Sequence, residues 1–105
     1  MPKISIALTT VGKAKDAERI AKVLIDRHLA ACVTIIPGAI SHYRWQGKRC
    51  RDQEFLLVIK TISSKVKSLE KELLSIHPYE VPEFIHWVVT GGAPKYLKWV
   101  LENCR

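Results

Sequence analysis

The sequence predicts a single domain, residues 1–105, of mixed α+β class with the element order β-α-β-β-α-β and a further helix. Three observations carry this. A two-residue apolar period in the first strand gives way to a helical period, and the same change recurs in the second half. Between the halves lies "EFLLVIKT" (54–61), apolar on both faces, as a strand covered on both sides is. A tight "QGK" turn (46–48) precedes it and joins two strand-like runs. The order is that of the ferredoxin-like split βαβ fold, with an antiparallel sheet and one appended helix.

The first strand is "KISIALTT", where Ile4, Ile6 and Leu8 alternate with Ser5, Ala7 and Thr9. From Asp16 to Leu29, Ala17, Ile20, Ala21, Leu24 and His28 fall at helical spacing opposite Glu18, Arg19, Lys22 and Asp26. "AACVTIIPGAISHYRW" (30–45) is rich in β-branched and aromatic residues and reads as a long strand. Pro37 cannot donate to a ladder, so this strand belongs on an edge or carries a bulge. A second helix is predicted from about Ser64 to Ile76, capped by Ser63 or Ser64, with Val66, Leu69, Leu73 and Ile76 as its buried stripe. "FIHWVVT" (84–90) is the fourth strand. Pro94 suits the first turn of a final helix whose sticky face is Tyr96, Leu97, Val100, Leu101 and Cys104.

Helices on one sheet face leave Leu56 and Val58 on the other. An apolar second face on a small sheet predicts burial against another subunit. The edge strand with "HYRW" is an open ladder that also invites pairing between chains.

Composition excludes several classes. The net charge is +7, but the basic residues are scattered, and "RWQGKRCR" (44–51) is the only tight group. The third strand has Phe55 as its sole aromatic, which disfavours an RNA-recognition module, and no nucleic-acid partner is expected. No apolar run approaches the ~18 residues of a membrane span, and the N-terminus does not read as a signal peptide. A cytoplasmic location is the expectation. Cys32, Cys50 and Cys104 form no C-x-x-C pair, and their odd number argues against a disulfide framework. No glycine loop for phosphate, no paired thiolates and no catalytic triad are legible, so an enzyme is not expected.

"LTTV" (8–11), "LAACVTIIPGAISHYRWQGK" (29–48), "EFLLVIKT", "IHPYEVPE" (76–83) and "YLKWV" (96–100) together resemble the CutA-type divalent-cation tolerance family, over nearly the whole chain. The resemblance implies a compact homotrimer, a role in tolerance to copper and other divalent metals, and a likeness to trimeric PII signalling proteins. It implies no settled reaction and no obligatory cofactor. Copper or another divalent cation would be a weakly held ligand.

The candidate metal ligands are His77, whose neutral imidazole suits copper or zinc, and Cys32, whose thiolate suits copper(I). Each has a plain structural alternative: a hydrogen-bonded histidine at a subunit boundary and a small buried hydrophobe. The resemblance implies, for some family members, a copper set drawn from a cysteine on the first strand and two adjacent histidines. Here those positions hold Thr9 and Ile76 beside His77. The resemblance gathers Trp45, Glu54, Lys60, Tyr79, Glu80 and Pro82 in a cleft between subunits, with Lys60 paired to Glu80 or Glu54. Such a cleft serves either as a small polar pocket or as an ion-paired network that fixes the assembly. The alternative function is PII-like: a signalling or structural trimer that binds a small anion there.

Overall fold

The computed structural model describes residues 2–105. Its elements are β1 (Ile4–Val11), α1 (Ala14–Asp26), β2 (Cys32–Trp45), β3 (Lys48–Ile62), a 3-10 turn (Ser63–Lys65), α2 (Val66–Ile76), β4 (Ile85–Val88) and α3 (Pro94–Asn103). The strands form one antiparallel sheet in the order β2-β3-β1-β4. This is the predicted ferredoxin-like fold with its appended helix.

α1 and α2 lie on one sheet face. The core there joins Ala7 and Val11 of β1, Leu57 and Ile59 of β3, Ile20 and Leu24 of α1, and Leu69 and Leu73 of α2. On α1, α2 and β3 these are the positions that the sequence pattern puts inward, but on β1 the helices cover Ala7 and Val11, and Ile6 and Leu8 of the alternating apolar set face the other side of the sheet. Pro37 is accommodated as expected: β2 is an edge strand, and its register with β3 shifts between Ile36 and Ala39.

The boundaries differ from the sequence reading in physical ways. α1 ends at Asp26 rather than Leu29, because His28 takes a left-handed conformation (φ 56°) that stops the helix. β3 begins at Lys48, not Glu54, because the Gln46-Gly47 turn (φ 49° and 79°) lets "KRCRDQ" pair with β2 through Trp45↔Lys48 to Ile40↔Gln53. Neither Ser63 nor Ser64 caps α2. The Ser63 hydroxyl instead meets that of Ser5 at 2.6 Å. β4 is only four residues long.

α3 starts at Pro94 and packs Val100 and Cys104 on Ile4, with Leu97 and Leu101 against Ile62 and Val89. Tyr96 leaves that face and stacks on Trp99, centroids 5.7 Å apart. The helix covers one end of the second sheet face. The strand register places Ile6 beside Lys60 and Trp87, Leu8 beside Val58 and Ile85, and Ile36 beside Leu56 on that face. No described element covers its centre, and Trp87 is 46% exposed.

Candidate functional site

β2 and β3 run on as a two-stranded arm beyond the body of the sheet. Between this arm and the loop after α2 lies a cleft of about 870 Å³. Tyr43 and Trp45 reach it from β2, Asp52 and Glu54 from β3, and Tyr79, Glu80 and Glu83 from the loop.

The loop is anchored by His77, which is 8% exposed. Pro78 holds the residue before it extended, and His77 has ψ 134°. Its Nδ1 accepts the backbone N–H of Tyr79 at 3.1 Å. Its Nε2 therefore carries the proton, which it donates to the carbonyl of Thr10 at 3.0 Å, with the Thr9 hydroxyl at 3.1 Å. Burial holds the imidazole pKa below its usual value, opposed by the bond to Thr10. The ring is thus a neutral brace across the end of β1, beyond the stretch that β4 pairs. Both nitrogens are occupied, so a metal would have to displace one of these bonds.

Tyr79 stacks edge-on against His77 at 4.9 Å and passes Gly12, where an added Cβ would come within 3.3 Å of the phenol oxygen. Its hydroxyl donates to Glu54 Oε2 at 2.6 Å. Glu54 is 6% exposed, and this phenol satisfies it. Desolvation, then the Glu54 carboxylate, push the Tyr79 pKa up. Across the cleft the Tyr43 hydroxyl donates to Asp52 Oδ2, and that bond leads the causes that push its pKa up to about 12. Burial, then Glu54, raise the Glu83 pKa.

Within one chain the residues expected to gather between subunits stand in two places. Trp45, Glu54, Tyr79 and Glu80 line it, and Pro82 sits half-buried in the loop beside it. Lys60 does not join them. It lies six residues along β3 from Glu54, about 20 Å at the rise of a strand. Its ammonium stands 5.3 Å from the Tyr96 ring, on the open sheet face, so the expected pairing with Glu54 or Glu80 within one chain is replaced by a cation–π contact. Cys32 is opposite Lys60 in register, half-buried, with its thiol 3.6 Å from the Thr34 hydroxyl. No group of three or more His, Cys, Asp or Glu side chains among the described residues converges as a metal site. The sequence reading missed Tyr43 and Asp52. The alternation of Tyr43 and Trp45, with Asp52 across a two-residue turn, was the signal that could have found them.

Fold and cleft define a ferredoxin-like α/β sandwich with an aromatic-walled, carboxylate-lined groove beside an uncovered apolar sheet face. The family model for the CutA1 divalent ion tolerance protein matches residues 5–103, and the chain belongs to that family. It is 43% identical to the divalent-cation tolerance protein CutA of Thermus thermophilus over 98 residues, which cover 93% of this chain and 95% of that one. It is 48% identical to a CutA homolog of Xenopus laevis over 97 residues, spanning 64% of that longer protein. The crystal structure of CutA from Xylella fastidiosa superposes with a TM-score of 0.94 at 41% identity, covering 97% of this chain and 98% of the other. Relatives from Arabidopsis thaliana and Archaeoglobus fulgidus carry the words chloroplastic and periplasmic in their names, so a cytoplasmic location does not follow from the family. No helix among the described residues is long and apolar enough to cross a membrane.

Proposed function

We propose that the chain serves divalent-cation tolerance as a homotrimer, holding cations weakly at the carboxylates of its cleft and catalysing no reaction. One observation carries this reading. In a protein of net charge +7 with only 10 acidic residues, Asp52, Glu54, Glu80 and Glu83 all line the same cleft. Oxygen donors suit hard divalent cations, which take several such ligands at once. A single chain supplies too few free donors, because Glu54 and Asp52 each already accept a hydrogen bond from a phenol. A second copy laid against the apolar sheet face beside the cleft would add its own. The three unpaired cysteines fit a reducing cytoplasm. Copper enters as one of the cations the cleft takes, and His77 serves as the brace of that cleft.

Calorimetry with copper, zinc and manganese tests the cation role. Wild type and His77→Ala should both give weak heats, while Glu80→Gln/Glu83→Gln should give less. Heats abolished by His77→Ala alone, in a folded variant, would overturn it.

A second reading rests on Lys60, whose ammonium faces only the Tyr96 ring and no carboxylate among the described residues. An assembly that buries this face would offer that charge to a small anion, as a PII-like sensor does. Thermal-shift screening with small acids, on wild type and Lys60→Ala, tests it; no stabilisation of either protein would remove it.

A further inference from the structure

The arm of β2 and β3 has a second face. The register pairs His42 with Arg51 and Arg44 with Arg49, and directly paired residues share a face. Tyr43, Trp45, Cys50 and Asp52 point to the opposite one. One side of the arm therefore carries three guanidiniums in a compact block, with His42 beside them at the rim of the cleft. Its rows are about 6.8 Å apart along the strands and about 5 Å across them. All three arginine side chains are exposed.

Arg44 and Arg49 are like charges directly opposite each other, which destabilises a strand pair, and no ion pair among the described residues offsets them. The ion pairs among the described residues are Arg19–Asp16, Lys22–Asp26, Arg27–Glu72 and Lys98–Glu102. Asp52, the one acid in the outer arm, is turned away to Tyr43. Arg44 reaches only the Gly47 carbonyl, at 3.5 Å. The block also lies on the helix side of the sheet, since Arg51 shares the parity of Leu57 and Ile59 on β3. A second copy on the open apolar face would leave it in solvent.

We propose that this face binds a linear oligophosphate. Guanidinium forks match phosphate oxygens two at a time, and three of them in one block neutralise several adjacent phosphates. The choice over a nucleic-acid strand follows from shape. The block is a patch, not a track, and the arm's aromatic rings, on which bases would stack, lie on the other face. The shared chemistry is a chain of phosphates, either inorganic or the tail of a nucleotide.

The test is calorimetry at low salt with orthophosphate, sodium tripolyphosphate, ATP and a 20-base-pair DNA duplex. The proteins are wild type, Arg44→Ala/Arg49→Ala/Arg51→Ala, Lys60→Ala, and Lys67→Ala/Lys71→Ala on the exposed side of α2. Circular dichroism confirms that each variant folds. Tripolyphosphate should bind wild type and the α2 variant alike, more tightly than orthophosphate, and about tenfold or more weaker to the arginine variant. ATP should match tripolyphosphate if the phosphate chain alone is read. Equal binding by wild type and the arginine variant, loss in Lys60→Ala instead, ATP binding about tenfold tighter than tripolyphosphate, or duplex DNA as the tightest ligand would each overturn the proposal.

Discussion

Removing the Tyr79 hydroxyl should unpin the loop that forms one wall of the cleft. In Tyr79→Phe the ring still packs on His77, but Glu54 loses the donor at 2.6 Å. Glu54 is 6% exposed, so little water can take the donor's place. A hydrogen bond to a charged group contributes roughly 1.5–3 kcal/mol. Tyr79 itself is 37% exposed, so the lower part of that range applies and the loss should be about 1.5–2 kcal/mol. Urea unfolding at fixed protein concentration measures it, because association shifts apparent stability by mass action. A double-mutant cycle with Glu54→Gln should return most of the loss as coupling. Unchanged stability in Tyr79→Phe, or a coupling near zero, would refute the bond as the anchor of the loop.

Leu57→Ala, at a fully buried position in the core, should cost about 2–5 kcal/mol by urea unfolding. His77 has a folded-state pKa depressed by burial, so its contribution is complete above the unfolded value near 6.5 and is lost as pH falls through the folded one. Wild-type stability should therefore drop more steeply from pH 7 to pH 5 than that of His77→Gln, and parallel profiles would contradict the buried neutral ring. Glu83 has a raised pKa, so its ionised form opposes folding as pH rises through that value. Glu83→Gln should gain about a few tenths of a kcal/mol at pH 7, small because the site is solvated. Sedimentation velocity of wild type should give three times the 12.0 kDa chain mass. Trp87→Asp, on the open sheet face, should shift the mass toward one chain, and equal masses would argue that this face is free.

Much of the fold was legible because periodicity reports burial directly. The change from alternation to helical spacing located β1, α1 and α2, and the apolar run around Leu57 marked the central strand. Boundaries were less legible where tertiary context overrides local preference. His28 stops α1 without a glycine or proline, and "KRCRDQ" is a strand only because β2 lies beside it. The density of His77, Tyr79, Glu80 and Glu83 was visible as a string. Which of them face a cleft depends on where the loop crosses Gly12 and Glu54. Lys60 shows the limit from the other side: it stands six residues along β3 from Glu54, so a cleft that joins the two needs a second chain.

The most direct test of where a cation sits is anomalous diffraction from crystals of the protein soaked in zinc or copper. The expected result is an ion at the cleft carboxylates, with Glu80 or Glu83 among its ligands and the His77 ring still bonded to Thr10 and Tyr79. An ion on a His77 ring nitrogen, with those bonds broken and the cleft empty, would contradict it.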